Sequence, residues 1–211
     1  MPLSSIIFDE TGFELQGERN GVIVWYTPKG DGLGLFHYPI PPDIKADINN
    51  LDSLRAFYRQ GVRKSGLGVI EIDRVVIDGC TAVRTLFKAA PQTTGRTYLG
   101  SLTFPYRDFS YVLRVQCEHV GTTGIRESVV TAQLLNSGAI AIDTELKMMR
   151  GWCDDPYDPN EIGPMTRNKS ERREYDSLFP DHPLSRARWV LDHLERTVTV
   201  DATVKRQPAF N

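Results

Sequence analysis

Two β-rich runs, residues 69–77 and 80–88, are separated only by Asp78-Gly79. An Asp-Gly pair accepts the positive φ angles of a tight two-residue turn, so the spacing predicts an antiparallel hairpin centred on it. After a loop at residues 90–95, a third run places Tyr98, Gly100, Leu102 and Phe104 on one face. A fourth carries Phe109, Tyr111, Leu113, Val115 and Cys117, with Arg114, Gln116 and Glu118 opposite. Alternation with period two is what a half-buried strand requires, and four such runs in succession predict a meander.

Shorter runs precede it, at residues 12–16, 22–27 and 33–38, separated by turn formers at 18–21 and 29–32, and they read as hairpins at one edge. Pro39, Pro41 and Pro42 lack backbone donors and force an extended connection. A helix follows, capped by Asn50, with Leu51, Leu54, Tyr58 and Val62 at helical spacing and Gly66 as its stop. A second helix begins at Thr123 or Gly124, with Glu127 in its first turn. Its stripe of Ile125, Val129, Ala132 and Leu135 is expected to pack across the sheet. From about residue 143 prolines and charges indicate a long surface excursion. A last helix, capped by Asp181, aligns Leu184, Ala187, Leu191 and Leu194; strand-like alternation follows at 197–204, and the tail 205–211 is expected to fray. The fold class is α+β, an antiparallel meander flanked by helices. Residues 10–140 form the sandwich, and residues 141–204 form a loop and helix extension packed on the same domain.

The 211 residues are 40% apolar and 25% charged, enough to build a core, and a net charge of −2 supplies no field for nucleic acid. The start has no basic segment leading into an apolar run, and no stretch of eighteen apolar residues occurs, so a cytoplasmic chain outside the membrane is expected. Cys80, Cys117 and Cys153 are odd in number and lack CxxC spacing, which predicts reduced thiols, with Cys80 and Cys117 mostly buried. No cofactor is expected.

Candidate sites are few. Asp154, Asp155, Asp158 and Glu161 could offer oxygen ligands to Ca²⁺ or Mg²⁺, but their spacing is not that of an EF-hand, and a solvated loop with aspartates capping turns reads better. Cys117 and His119 alternate onto one strand face, as a thiolate and its imidazole base would, although Cys117 also continues an apolar stripe. His37, His119, His182 and His193 show no HxxxH or HExxH spacing. Ser185 beside Asp181 and His182 has the letters of a triad, yet triads are built by convergence in space. Aromatics set among charges mark partner-binding patches, and Trp152 and Tyr157, hemmed by Asp155, Asp158 and prolines, are the candidate contact residues. The loop at 152–161 is expected to be ordered, because a free loop would leave both rings in water.

The order of elements resembles the PsbP-like α/β/α sandwich, shared by the extrinsic oxygen-evolving protein of photosystem II and a Ran-binding import factor. The resemblance rests on residues 51–62 for the helix, Val76-Ile77-Asp78-Gly79-Cys80-Thr81-Ala82-Val83 for the hairpin, and Arg96-Thr97-Tyr98-Leu99 with Ser110-Tyr111-Val112-Leu113 for the later strands. Residues 97–127, Asp155-Pro156-Tyr157-Asp158-Pro159 and Phe179-Pro180-Asp181-His182-Pro183-Leu184-Ser185-Arg186 are also similar to a set of uncharacterised bacterial proteins. The resemblance implies protein binding and carries over no catalytic residue. The expected function is therefore a non-enzymatic protein-binding domain of a bacterial cytoplasm, immunity-like or accessory to a toxin or secretion system. The alternative is a hydrolase using a metal on Asp154, Asp155 and Asp158, or Cys117 with His119.

Overall fold

A computed structural model describes residues 1–90, 95–119 and 121–210. The strands are β1 (Ile6–Ile7), β2 (Glu14–Arg19), β3 (Val22–Tyr26), β4 (Gly32–Tyr38), β5 (Gly68–Ile77), β6 (Cys80–Ala89), β7 (Thr97–Pro105), β8 (Ser110–Glu118), β9 (Ala141–Asp143), β10 (Met148–Arg150) and β11 (Thr199–Val200). The helices are α1 (Leu51–Lys64), α2 (Ile125–Asn136), α3 (Pro183–Thr197) and α4 (Ala202–Lys205), with short 3-10 turns at Lys169–Glu171 and Arg173–Tyr175.

The hairpin forms as the sequence reads: Ile77 faces Cys80, and Asp78 and Gly79 take φ values of 49° and 79°. The meander β5-β6-β7-β8 continues through a β8–β4 pairing into β3 and β2, so the sheet has seven antiparallel strands in the order β2-β3-β4-β8-β7-β6-β5. β2 starts at Glu14, later than expected, because Gly12 is in a turn at φ 86°. It then runs through Glu18 and Arg19 to a two-residue turn at Asn20-Gly21, both at positive φ.

Two apolar layers form. Ala82 and Leu86 of β6 join Tyr98, Leu102 and Leu113 beneath α3, which inserts Leu184, Ala187, Leu191 and Leu194. Val83 and Phe87, of opposite parity, face α1 through Leu54 and Val62. Each leucine removed from water in this way contributes roughly 2 kcal/mol. A bulge at Val69–Glu71 breaks the alternation, so Val69 and Ile72 both face the α1 layer while Ile70 faces the α3 layer. Gly100 lets α3 approach: a Cβ there would stand 2.8 Å from both Leu191 Cδ1 and Val115 Cγ1.

α1 is capped as expected, Asn50 Oδ1 accepting from Ser53 N at 3.0 Å, and Gly66 follows it at φ 69°. Four expectations are corrected. α2 does not lie across the sheet. It buries Arg126 and Val130, against the turn Lys169–Glu171, and leaves Ile125, Val129 and Ala132 exposed. The cap of α3 is His182, whose Nδ1 accepts from Leu184 N at 3.2 Å, while Asp181 is exposed and pairs with Lys29. The expected strand at 197–204 shrinks to β11, paired with β1 and followed by α4, and the tail is docked: Arg107 N donates to Pro208 O at 3.0 Å and Phe210 packs on the α1 layer. Residues 91–94 of the loop before β7, and Asn211 of the tail, lie outside the described residues.

Candidate functional site

The loop at 152–161 packs on the domain. Asp155 Oδ1 accepts from Tyr157 N and Asp158 N, both at 2.8 Å, a side chain imitating a turn. Tyr157 Oη accepts from Ile72 N at 2.5 Å and donates to Ile72 O at 3.0 Å, and the Arg55 guanidinium lies 4.4 Å from its ring centre. Burial pushes the Tyr157 phenol up from its usual range. Arg59 of α1 approaches Asp155 at 3.6 Å and Asp158 at 3.3 Å, and Arg63 pairs with Glu161. Asp154 turns the other way, to Arg167 at 2.9 Å and Arg172 at 2.8 Å. The Arg172 hydrogen bond leads in holding its carboxyl below the usual range. The four carboxylates are thus divided between two arginine clusters, and Trp152 lines a cleft beside α2, apart from Tyr157. Among the described residues no three His, Cys, Asp or Glu side chains converge to hold a metal.

Cys117 is buried in the α3 layer, and burial, with Asp31 nearby, pushes its thiol up, away from the thiolate that nucleophilic chemistry needs. No hydrogen bond joins it to His119 among the described residues; His119 Nδ1 instead accepts from Arg96 N at 3.3 Å. All three cysteines are free, Cys80 only half-buried and accepting from Tyr106 Oη at 3.5 Å.

Above one end of the sheet, residues 168–176 are held by buried charge. Arg126 donates to Ser170 O at 2.6 Å, Arg172 O at 2.9 Å, Asp176 Oδ1 at 2.9 Å and Ser185 Oγ at 2.8 Å. A guanidinium satisfied so fully outweighs the apolar stripe in setting the roll of α2. Arg188 of α3 reaches Glu71 at 2.6 Å and Asp176 at 3.0 Å. Burial favours the neutral form of Glu71, but Arg188, Arg84 and Arg173 outweigh it and lower its pKa.

Rolling α2 outward creates the site of greatest chemical interest. A cleft of about 650 Å³ runs between α2 and residues 149–152, walled by Ala132, Leu135, Met149 and Trp152, with Arg96, His119 and Glu127 at its inner end. Gly95, at φ 82°, allows His119 in: a Cβ there would lie 2.5 Å from His119 Cβ. The His119 ring meets that of His182 edge to face at 4.8 Å, and His182 Nε2 faces Glu127 Oε1 at 3.8 Å. Burial, then the neighbouring His182, lowers the His119 pKa. For Glu127 burial acts upward, but the facing His182 and the residue's own backbone N–H prevail and hold it at about 2. Among the described residues, His182 Nε2 and Glu127 Oε2 are buried without a hydrogen-bond partner. A second cleft, about 840 Å³, lies between the β3–β4 turn and α3, with Trp189 half-exposed along it; its buried Ser185 and Arg188 and its half-buried Asp176 are all hydrogen bonded.

Glu127 draws notice in the sequence only as a first-turn acid, and His182 as one of four scattered histidines and as a letter of the triad-like Asp181, His182 and Ser185. No spacing links His119 to His182; only the fold does.

The described part of the chain is thus an α+β protein with a seven-strand antiparallel sheet and an open cleft beside a helix that exposes Ile125, Val129 and Ala132. No family model matches the sequence, and no curated protein matches it. Among solved structures, a crystal structure of a protein from Bacteroides thetaiotaomicron is similar at 8% identity and a TM-score of 0.35, over 58% of this chain and 41% of that one. The chain therefore spans about two fifths of that protein's length, and at this similarity no function transfers.

Proposed function

We propose that this chain is a protein-binding domain and that the outward face of α2, with the cleft beside it, receives a segment of the partner protein. The observation that carries the reading is that Ile125 and Val129, at 54% and 50% exposure, line up with Ala132 on a helix face that none of the described elements covers. The β9–β10 hairpin adds exposed Ile142 and Leu146, and Trp152, already a candidate contact residue, walls the cleft. Apolar surface gathered on one face is what association uses, whereas isolated exposed apolar residues carry no such meaning. Tyr157, Asp155 and Asp158 are engaged with α1 and β5, away from this face. On this reading the fold is the PsbP-like sandwich, with α1 and α3 on opposite faces of the meander, and its setting is a bacterial cytoplasm. An immunity-like or accessory protein of a toxin or secretion locus would use such a surface.

The test is parallel affinity capture with the wild type, Val129→Asp on α2, and Ile162→Asp as an exposed control, each checked for an unchanged melting profile. A partner retained by the control and lost with Val129→Asp supports the reading. A captured set indifferent to Val129→Asp overturns it, as does a self-association that Val129→Asp abolishes.

A further inference from the structure

We infer that the open face of β3, β4 and β8 is a binding site for a neutral oligosaccharide, a second site that stands without the reading of α2. The register builds two rows across these strands: Tyr26, Gly32 and Gln116 lie opposite one another, as do Val24, Gly34 and Arg114. The alternate residues Trp25, Leu33 and Val115 are buried in the α3 layer, so both rows face the other way. On that side α1 packs on β5 and β6, and Tyr26, Arg114 and Gln116 are exposed. In neither row does β4 carry a side chain. A Cβ on Gly34 would stand 2.8 Å from Phe36 Cε2, and one on Gly32 would stand 3.5 Å from Tyr26 Cε1, so two rings lie over the glycine backbone. The result is a cleft of about 550 Å³ with an aromatic side, Tyr26 and Phe36, and a polar side, Arg114, Gln116 and Glu118 along β8. Tyr38 stacks on Phe36 with the ring planes 7° apart and extends the aromatic side.

The two sides ask for different aspects of one ligand. The face of an aromatic ring carries partial negative charge and receives polarised C–H groups. Along the polar side Arg114 only donates, Gln116 donates and accepts, and Glu118 only accepts. Gln116 Nε2 donates to Glu118 Oε1 at 2.8 Å, which orients both groups and leaves the Gln116 carbonyl and the second Glu118 oxygen to a ligand. The Arg114 guanidinium lies over the Phe36 ring, 5.2 Å from its centre, and among the described residues it meets no carboxylate. A pyranose has a face of C–H groups and a rim of hydroxyls, each a donor and an acceptor at once, and so satisfies both sides together. A wholly apolar ligand would strip water from Arg114 and Gln116 without replacing its hydrogen bonds. Single-stranded nucleic acid could stack on the same rings, but its phosphates would meet Glu118 and Glu14, the residue opposite Tyr26 on β2, while Lys29 at the rim is already paired with Asp181.

Cellotriose, maltotriose and triacetylchitotriose, titrated separately into the full chain and followed by NMR, are the probes. At least one is expected to bind saturably, shifting the Gly32 and Gly34 amides, the Gln116 side-chain amide and the Arg114 Nε–H. Tyr26→Ala should weaken that binding about tenfold by removing the stacking ring, and Gln116→Ala about tenfold by removing hydrogen bonds. Both positions are exposed, so each variant is expected to keep the melting profile of the wild type. Failure of all three sugars to shift these signals overturns the inference, as does binding that both variants leave unchanged. Octathymidylate, titrated in parallel, should leave the same signals in place. If it binds there more tightly than any of the sugars, the face stacks bases and the inference is overturned.

Discussion

Lys88 Nζ and Glu171 Oε2 stand 2.5 Å apart in the interior, with side chains 1% and 0% exposed. Tyr98 Oη donates to Glu171 Oε1 at 2.8 Å, Asn168 N closes the capping box on Oε2 at 2.9 Å, and Lys88 also reaches Thr166 O at 2.9 Å. Through this pair the sheet holds the turn that positions α2. Lys88→Met leaves a buried carboxylate without its cation and is expected to cost about 3–5 kcal/mol. Lys88→Met with Glu171→Leu should recover part of that loss, and denaturant titration of the single and double variants measures both.

Gly100 is where α3 comes nearest the sheet, with Leu191 and Val115 at 2.8 Å from the position of a Cβ. Gly100→Ala should therefore destabilise the fold by about 1–3 kcal/mol, although alanine favours most strands over glycine. A rise in stability on chemical denaturation would show that α3 can shift outward freely.

Acidification should loosen the α2 region in two stages. His119 has a lowered folded pKa, so the unfolded chain takes up the proton more readily and stability declines as pH falls below its ordinary 6.5. Glu127 is depressed from 4.5 to about 2, so its contribution is present in full above 4.5 and is lost as pH falls toward 2; the shift corresponds to something on the order of 3 kcal/mol. Melting temperature followed from pH 7 to pH 3 should drop less steeply in Glu127→Gln than in the wild type. Parallel curves would dissociate Glu127 from the transition.

Tyr157→Phe removes the hydroxyl that both accepts from and donates to Ile72 and should cost about 1 kcal/mol. Tyr157→Ala, which also strips the ring from Arg55, should cost about 2–3 kcal/mol and expose residues 152–161 to trypsin and chymotrypsin. Rapid cleavage of that stretch in the wild-type protein would contradict its docking.

The sequence revealed what is decided within a few residues. Asp78-Gly79 sets its turn by local backbone preference, Asn50 and Gly66 bracket α1 by capping chemistry, and Leu184, Ala187, Leu191 and Leu194 share one side of α3 because 3.6-residue periodicity dictates it. What it hid is decided by distant partners. The β4–β8 pairing joins residues far apart in the chain, with nothing in either run to identify the other. The roll of α2 departs from its apolar stripe because Arg126 prevails over four apolar residues only when Ser170, Arg172, Asp176 and Ser185 are assembled around it. Glu127 and His182 meet for the same reason.

The sheet ends in β5 on one side and β2 on the other, and a free edge of this length is an invitation to another chain's backbone. On β5 that invitation is withdrawn at Ile72, whose N–H and C=O are both taken by Tyr157. On β2 it is spoiled by the irregularity at Gly17 and by the charges of Glu14, Glu18 and Arg19. Neither border offers an uninterrupted ladder to a visiting strand, so the molecule is guarded against edge-to-edge polymerisation and against recognition by strand addition. A partner docking on α2, as proposed above, would read side chains on a helix, a mode in which substitutions tune the choice of partner without disturbing the sheet.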